Sequence, residues 1–180
     1  MTLSDPAPNA RQPIPDAAAP PTSGHADRLL AVDLGLRTGL ALFGGDGRLL
    51  WHRSRHFGSS SSLRDGVRTL LGEIGPLAWL VLEGGDLYGN LWRHEAERRG
   101  AMVLQVSAES WRRDLLLDRD QHAAGQAKDA SVLLARRVIA WSGLRGPTSL
   151  RHDAAEAILV GLWGALAIGL LPGMPKELSR

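Results

Sequence analysis

The sequence predicts an α/β domain built on a mixed five-stranded sheet with helices on both faces. Three observations predict it. Three apolar runs come first and close together, with a Gly-rich loop between the second and third. Two further apolar runs follow, separated by segments of helical spacing. The chain then closes in three helical segments. Neighbouring runs joined by short loops pair antiparallel, whereas strands separated by helices need crossovers and pair in parallel.

The elements follow in order. Leu29–Leu34 reads as the first strand, and Gly35-Leu36-Arg37-Thr38-Gly39 as a tight turn, because two glycines permit positive φ. Thr38 is taken as part of that turn rather than as a phosphate contact. Leu40–Phe43 and Leu49–His56 are the next strands, joined by Gly44-Gly45-Asp46-Gly47 in a hairpin. The serine run Ser59–Ser62 is a helix start, and Leu63, Val67, Leu70, Leu71 and Ile74 repeat at helical spacing up to Pro76. Leu77–Leu82 is a continuous apolar run, as a buried parallel strand requires. A helix from Leu87 to Arg99 ends at Gly100, and Ala101–Val106 is the fifth strand. Helices are expected at Glu109–Leu116, Asp129–Trp141 and Asp153–Leu171.

Residues 28–172 thus form one domain, between a Pro/Ala-rich segment at 1–27 and a short tail at 173–180. Pro6, Pro8, Pro13, Pro15, Pro20 and Pro21 fall in the first segment, which has too little apolar surface to offset chain entropy and is expected to be disordered. It has neither the basic start nor the apolar stretch of a secretory signal, and its acids argue against a transit peptide. The apolar stretch from Ala157 to Leu171 falls short of the ~20 residues a membrane span needs. The expected location is the cytoplasm of a bacterium or a phage host.

With no cysteine, disulfides and thiolate-bound metals are excluded. The 180 residues carry a net charge of +2, with a pI of about 9.6. Residues 1–27 hold Arg11 against Asp5, Asp16 and Asp27, a sum of −2, so the remainder is +4. Arginines crowd the middle and later chain. This residue type binds phosphate bidentately, and the stretch reads either as a nucleic-acid face or as solvated helix surface.

Four acids carry the chemistry. Asp33 ends the run Leu29-Leu30-Ala31-Val32, Glu83 ends Leu80-Val81-Leu82, and Asp153 with Glu156 opens the last helix. A strand-end carboxylate keeps its backbone in the sheet while its oxygens reach a cleft, and residues at i and i+3 share one helix face. Such elements brought together make an oxygen-lined pocket suited to magnesium. Each acid also has an ordinary reading. Asp33 reads as a turn residue, and Asp153 with Glu156 as a capping box. A capping box leaves unexplained why two strands also end in acids.

Ala31-Val32-Asp33-Leu34-Gly35-Leu36-Arg37-Thr38-Gly39-Leu40-Ala41 resembles the first strand and hairpin of the RNase H-like superfamily, and Leu80-Val81-Leu82-Glu83 its fourth strand. Asp153-Ala154-Ala155-Glu156-Ala157 resembles the D-A-A-D-A segment of RuvC-type Holliday junction resolvases. Trp111-Arg112-Arg113-Asp114-Leu115-Leu116, Lys128 and the helix through Arg136-Arg137 are similar to the region before the final acids in that family. The resemblance runs from about Leu29 to Leu171.

It implies a homodimeric endonuclease that cuts four-way DNA junctions in recombination and repair, with two Mg2+ ions per site and Mn2+ as a substitute. Asp33, Glu83, Asp153 and Glu156 match the family's metal-binding acids, with Asp33 bridging, Glu83 completing one ion and the helix pair the other. Lys128 matches a lysine near the scissile phosphate. Glu156 stands where the family usually has Asp, and His152 beside it is an accessory candidate. The segment Gly84-Gly85-Asp86-Leu87-Tyr88 departs from the apolar wedge of bacterial resolvases, with Leu87 or Tyr88 in its place. Arg93, Arg98, Arg99, Arg112, Arg113 and Arg136, with Tyr88, are the DNA-contacting candidates, and a branch-migration helicase is an implied partner. Trp92, Trp111, Trp141 and Trp163 read as core, and His94 and His122 as surface.

Three other readings compete. A YqgF-like RNA-processing nuclease shares the first segment but is less similar at Asp153–Glu156. The phosphate loop of sugar kinases and actin-like ATPases is similar to residues 33–39, but those proteins need two such domains. A non-catalytic DNA-binding relative gains nothing from acids facing phosphates.

Overall fold

The computed structural model describes residues 27–35, 37–85, 87–116 and 124–179. The Pro-rich segment, apart from Asp27, lies outside them, as do Leu36, Asp86, His122 and the Leu87 side chain named as a wedge. Five strands form one mixed sheet: β1 (Leu29–Asp33), β2 (Arg37–Phe43), β3 (Leu49–His56), β4 (Trp79–Glu83) and β5 (Met102–Val106). Their order is β3-β2-β1-β4-β5. The first three pair antiparallel, while β1–β4 and β4–β5 pair in parallel, as the spacing of the runs predicts.

Alternation sorts the side chains of the central strand. Leu29, Ala31 and Asp33 share one face, and Leu30, Val32 and Leu34 the other. Helices α1 (Ser60–Ile74) and α2 (Leu87–Arg98) cover the Leu30 face. Helices α3 (Ala108–Leu115), α4 (Ala124–Trp141) and α5 (His152–Ala167) cover the Leu29 face. Ser59 caps α1, its hydroxyl accepting from the Ser62 N–H at 3.2 Å, so the serine run starts the helix where a cap is needed.

Helix α5 packs across β1, β2, β3 and β4. Two glycines let it lie close: a Cβ on Gly161 would enter the Phe43 ring, and one on Gly164 would meet Val81 and Leu29.

Several boundaries depart from the sequence expectations, and α4 starts at Ala124 rather than Asp129. β2 starts at Arg37, because the β1–β2 ladder continues to Asp33 opposite Gly39. Arg37, Thr38 and Gly39 are therefore strand, although the Thr38 hydroxyl still donates to the Gly35 carbonyl at 3.3 Å and closes the connection. β4 begins at Trp79 rather than Leu77. α5 stops at Ala167 rather than Leu171, with Gly169 at φ +78° turning the chain away. The segment beyond 173 is packed: Leu178 is buried, and Arg137 donates to the carbonyls of Glu177 and Ser179. Among the described residues no helix is long and apolar enough to cross a membrane.

Candidate active site

Sheet register brings the first two acids together. Asp33 lies directly opposite Glu83 in the parallel β1–β4 pair, so both carboxylates point to the α5 face at the strands' C-terminal ends. On its other side Asp33 lies opposite Gly39. Gly39 is the seat of α5: a Cβ there would collide with the Asp153 backbone carbonyl. The absence of a side chain on β2 therefore lets the helix start, and Asp153 with it, close over Asp33. Glu156 follows one turn later and is buried.

Capping does not account for the helix pair. The N-cap of α5 is Arg151, which makes no side-chain cap bond. Asp153 Oδ2 instead accepts from the Ser54 hydroxyl on β3. Each of the three outer acids has a donor from a different residue. Trp111 Nε1 donates to Glu83 Oε2 at 2.7 Å. Arg112 forms a charged hydrogen bond to Glu156 Oε1. His152 Nε2 lies 3.4 Å from Glu156 Oε2, so both Glu156 oxygens are engaged. Asp33 alone of the four has no side-chain donor among the described residues.

The electrostatics follow. Burial and the charges of Glu83, Glu156 and Asp153 push the Asp33 carboxyl up to about 8, against a smaller opposing pull from Arg112. Glu83 is raised too, first by burial, with the Trp111 hydrogen bond opposing. Asp33 thus feels the charges of all three other acids, with Arg112 as the counter-charge. Their donor atoms are all oxygen, which fits a hard divalent cation. As the side chains stand, no three His, Asp or Glu residues among those described already form a closed ligand group. Each Glu156 oxygen keeps a further lone pair, so a metal ion would share Glu156 with Arg112 and His152 or displace one of them.

The chain matches no known protein family in sequence, and no curated protein matches it. A solved structure, T. thermophilus RuvC in complex with a Holliday junction substrate, aligns over 77% of this chain and 92% of that one. The TM-score is 0.57 at 16% identity. The fold is RNase H-like. In this RNase H-like domain the acids stand at the C-terminal end of the two central parallel strands, beneath the last helix.

The other expected residues are dispersed. Lys128 is exposed on α4 and bonded to none of the four acids. Arg98 and Arg99 pair with Glu95 at 2.7 and 2.8 Å, and the Arg98 hydrogen bond holds the Glu95 carboxyl down at about 2. Arg93 donates to Gln105 at 2.7 Å, and Arg136 to the Pro147 carbonyl at 3.0 Å. Arg113 is exposed beside Asp114. Trp92 and Trp111 are fully buried, as core residues should be.

Sequence reasoning misses what Ser54 and Trp111 do and where Arg112 points. A buried tryptophan must place its N–H on some acceptor, and that requirement is the one available signal for Trp111.

Proposed function

We propose that this chain is a magnesium-dependent endonuclease that cuts four-way DNA junctions, acting as a homodimer whose two-fold axis matches that of the junction. The observation that carries the reading is the gathering of Asp33, Glu83, Asp153 and Glu156 at one end of an RNase H-like sheet. Those four residues would hold the metal. When bound, divalent ions supply a nucleophilic water at neutral pH and stabilise the departing 3′ oxygen.

The chain's own groups do the rest. Trp111 and Ser54 fix the rotamers of Glu83 and Asp153. Arg112 balances charge on the resting site. Lys128 and Arg113, both exposed, can reach a DNA backbone, with Lys128 set against charge building on the phosphate. A branch-migration helicase and recombination repair belong to the same proposal, as does a cytoplasmic location.

The test is cleavage of a labelled four-way junction, a duplex and a single-stranded RNA, in magnesium and in EDTA. Paired symmetric nicks confined to the junction and abolished by EDTA are expected. Cutting of RNA alone would move the chain to RNA processing. Light scattering should show a dimer on the junction, and a monomer throughout would sink the symmetric cut.

The donors around the acids make a second test possible without DNA. Trp111→Phe removes the N–H that orients Glu83, together with part of a buried ring, and should weaken Mn2+ binding about tenfold. Arg112→Met frees Glu156 and removes a positive charge, so it should strengthen binding several-fold. Calorimetric titration of the free protein reads both. Weaker binding by Arg112→Met would mean that the guanidinium orients Glu156 rather than competing for it.

A further inference from the structure

We infer that the open end of the β2–β3 hairpin grips the phosphate backbone of the DNA arm beside the cut, through Arg37 and Arg55 with Arg53 as an outer contact; this rests on the DNA reading above. The arginine-rich middle of the chain is poorly suited to that task. Arg98 and Arg99 are held by Glu95, Arg93 by Gln105 and Arg136 by a carbonyl. A guanidinium already bonded within the protein gains less from a phosphate, because it must give up or share its partner.

The hairpin differs. Neither β2 nor β3 contains Asp or Glu. Arg37 and Arg53 are exposed, and Arg55 is half-buried. None of the three makes a hydrogen bond or ion pair with another described residue. Arg53 rests on the Trp51 ring at 4.7 Å, a contact that leaves its in-plane N–H groups to other acceptors. Glu73 shares a cleft with Arg53 without pairing with it. Arg64 and Arg68, exposed on α1, share their helix with Asp65 and Glu73. Positive charge gathered without counter-charge suits a polyanion. Charges on an edge strand also block pairing with another chain. That account fits β3, but Arg37 lies on β2, which has a strand on either side and needs no such guard.

Register sets these arginines beside the acids. Asp33 lies opposite Gly39, and Gly39 opposite Ser54. Arg37, two residues before Gly39, therefore shares the face of Asp33, one side-chain row further out. Thr38 lies opposite Arg55, which puts Arg55 at the same end of the sheet on the other face. Arg53 follows on that face, about 7 Å along the strand. A backbone leaving the acids across the hairpin meets Arg37 first and Arg55 next. Among the described residues no further strand covers the outer edge of β3.

The experiment is fluorescence anisotropy of a labelled four-way junction over about 50 to 200 mM salt, with full-length Asp33→Asn protein to prevent cutting. Arg37→Gln and Arg55→Gln should each weaken binding several-fold and lower the slope of log affinity against log salt by about 0.9. The double variant should lose about twice that slope. Arg37→Lys and Arg55→Lys keep the charge and should keep the slope. Arg98→Gln, at a paired arginine, should leave the slope unchanged.

An unchanged slope in the double Gln variant would overturn the inference, and self-association of that variant in light scattering would make the arginines guards of the edge strand instead. An equal loss of slope in Arg98→Gln would overturn it too, because binding would then follow overall charge rather than this hairpin. Failure of the Asp33→Asn protein to bind any junction would overturn the DNA reading and the hairpin contact together, so the two failures are told apart.

Discussion

Asp33→Asn will abolish cleavage, by at least about 10³-fold, while making the protein harder to melt in EDTA. The two effects have one cause. The carboxyl feels the charges of three other acids, is pushed up to about 8 by burial and by those neighbours, and has no side-chain donor of its own among the described residues. Asparagine keeps the shape and removes the charge. The expected gain is about 2–4 kcal/mol at pH 9, discounted for the part of the carboxyl open to solvent.

The sign with pH follows from the raised value. In the metal-free wild type, the Asp33 contribution to stability is whole below about pH 4 and is lost as pH rises through 8. Metal binding runs the other way, because the ion must displace the proton. Limiting-magnesium activity should therefore climb up to about pH 8. Melting scans in EDTA from pH 6 to 9, for wild type and variant, check the first sign. An Asp33→Asn protein that melts lower than wild type at pH 9 would remove the basis for a charge-crowded site.

Gly39→Ala should be the next most damaging single change, although it alters no charged or polar side chain. Its Cβ would press on the Asp153 backbone, and backbone cannot rotate aside as a side-chain tip can. The N-terminus of α5 must back away. Overpacking of this kind costs about 1–3 kcal/mol, and a misplacement near 1 Å of a catalytic group costs about 10²-fold in rate. The expected outcome is a folded protein, with melting lowered by several degrees, that retains under a hundredth of wild-type cleavage. Full activity of the Gly39→Ala protein would show that Asp153 need not sit close over Asp33.

How much of this is legible can be judged residue by residue. Asp33 and Glu83 are visible because each ends an apolar run in a strand, and parallel register then sets them side by side. Asp153 and Glu156 are visible through helical spacing, but a capping box is an equally good account until the fold puts the N-cap at Arg151. Gly39 reads as a turn glycine because sequence shows a missing side chain, not what occupies its place. Ser54 is hidden. Its link to Asp153 depends on register across three strands, from Asp33 to Gly39 to Ser54, and register is a tertiary fact. Trp111 and Arg112 stand out in the sequence without their roles, since an eight-residue helix does not disclose which way it faces. The last helix is shorter than its apolar run because the run continues past Gly169, where the backbone turns.

The close seating of α5 has a consequence for how this protein can diversify. Residues 39, 161 and 164 are places where helix and sheet meet with no room for a side chain, whereas Gly58, Gly146 and Gly173 face open space. Sequence drift should therefore be sharply divided among the chain's 21 glycines. The first group should stay fixed even in relatives that lack the four acids, because the fold needs them before any chemistry does. The second should wander freely. A relative that has lost its acids but kept those three glycines would have changed trade without changing architecture.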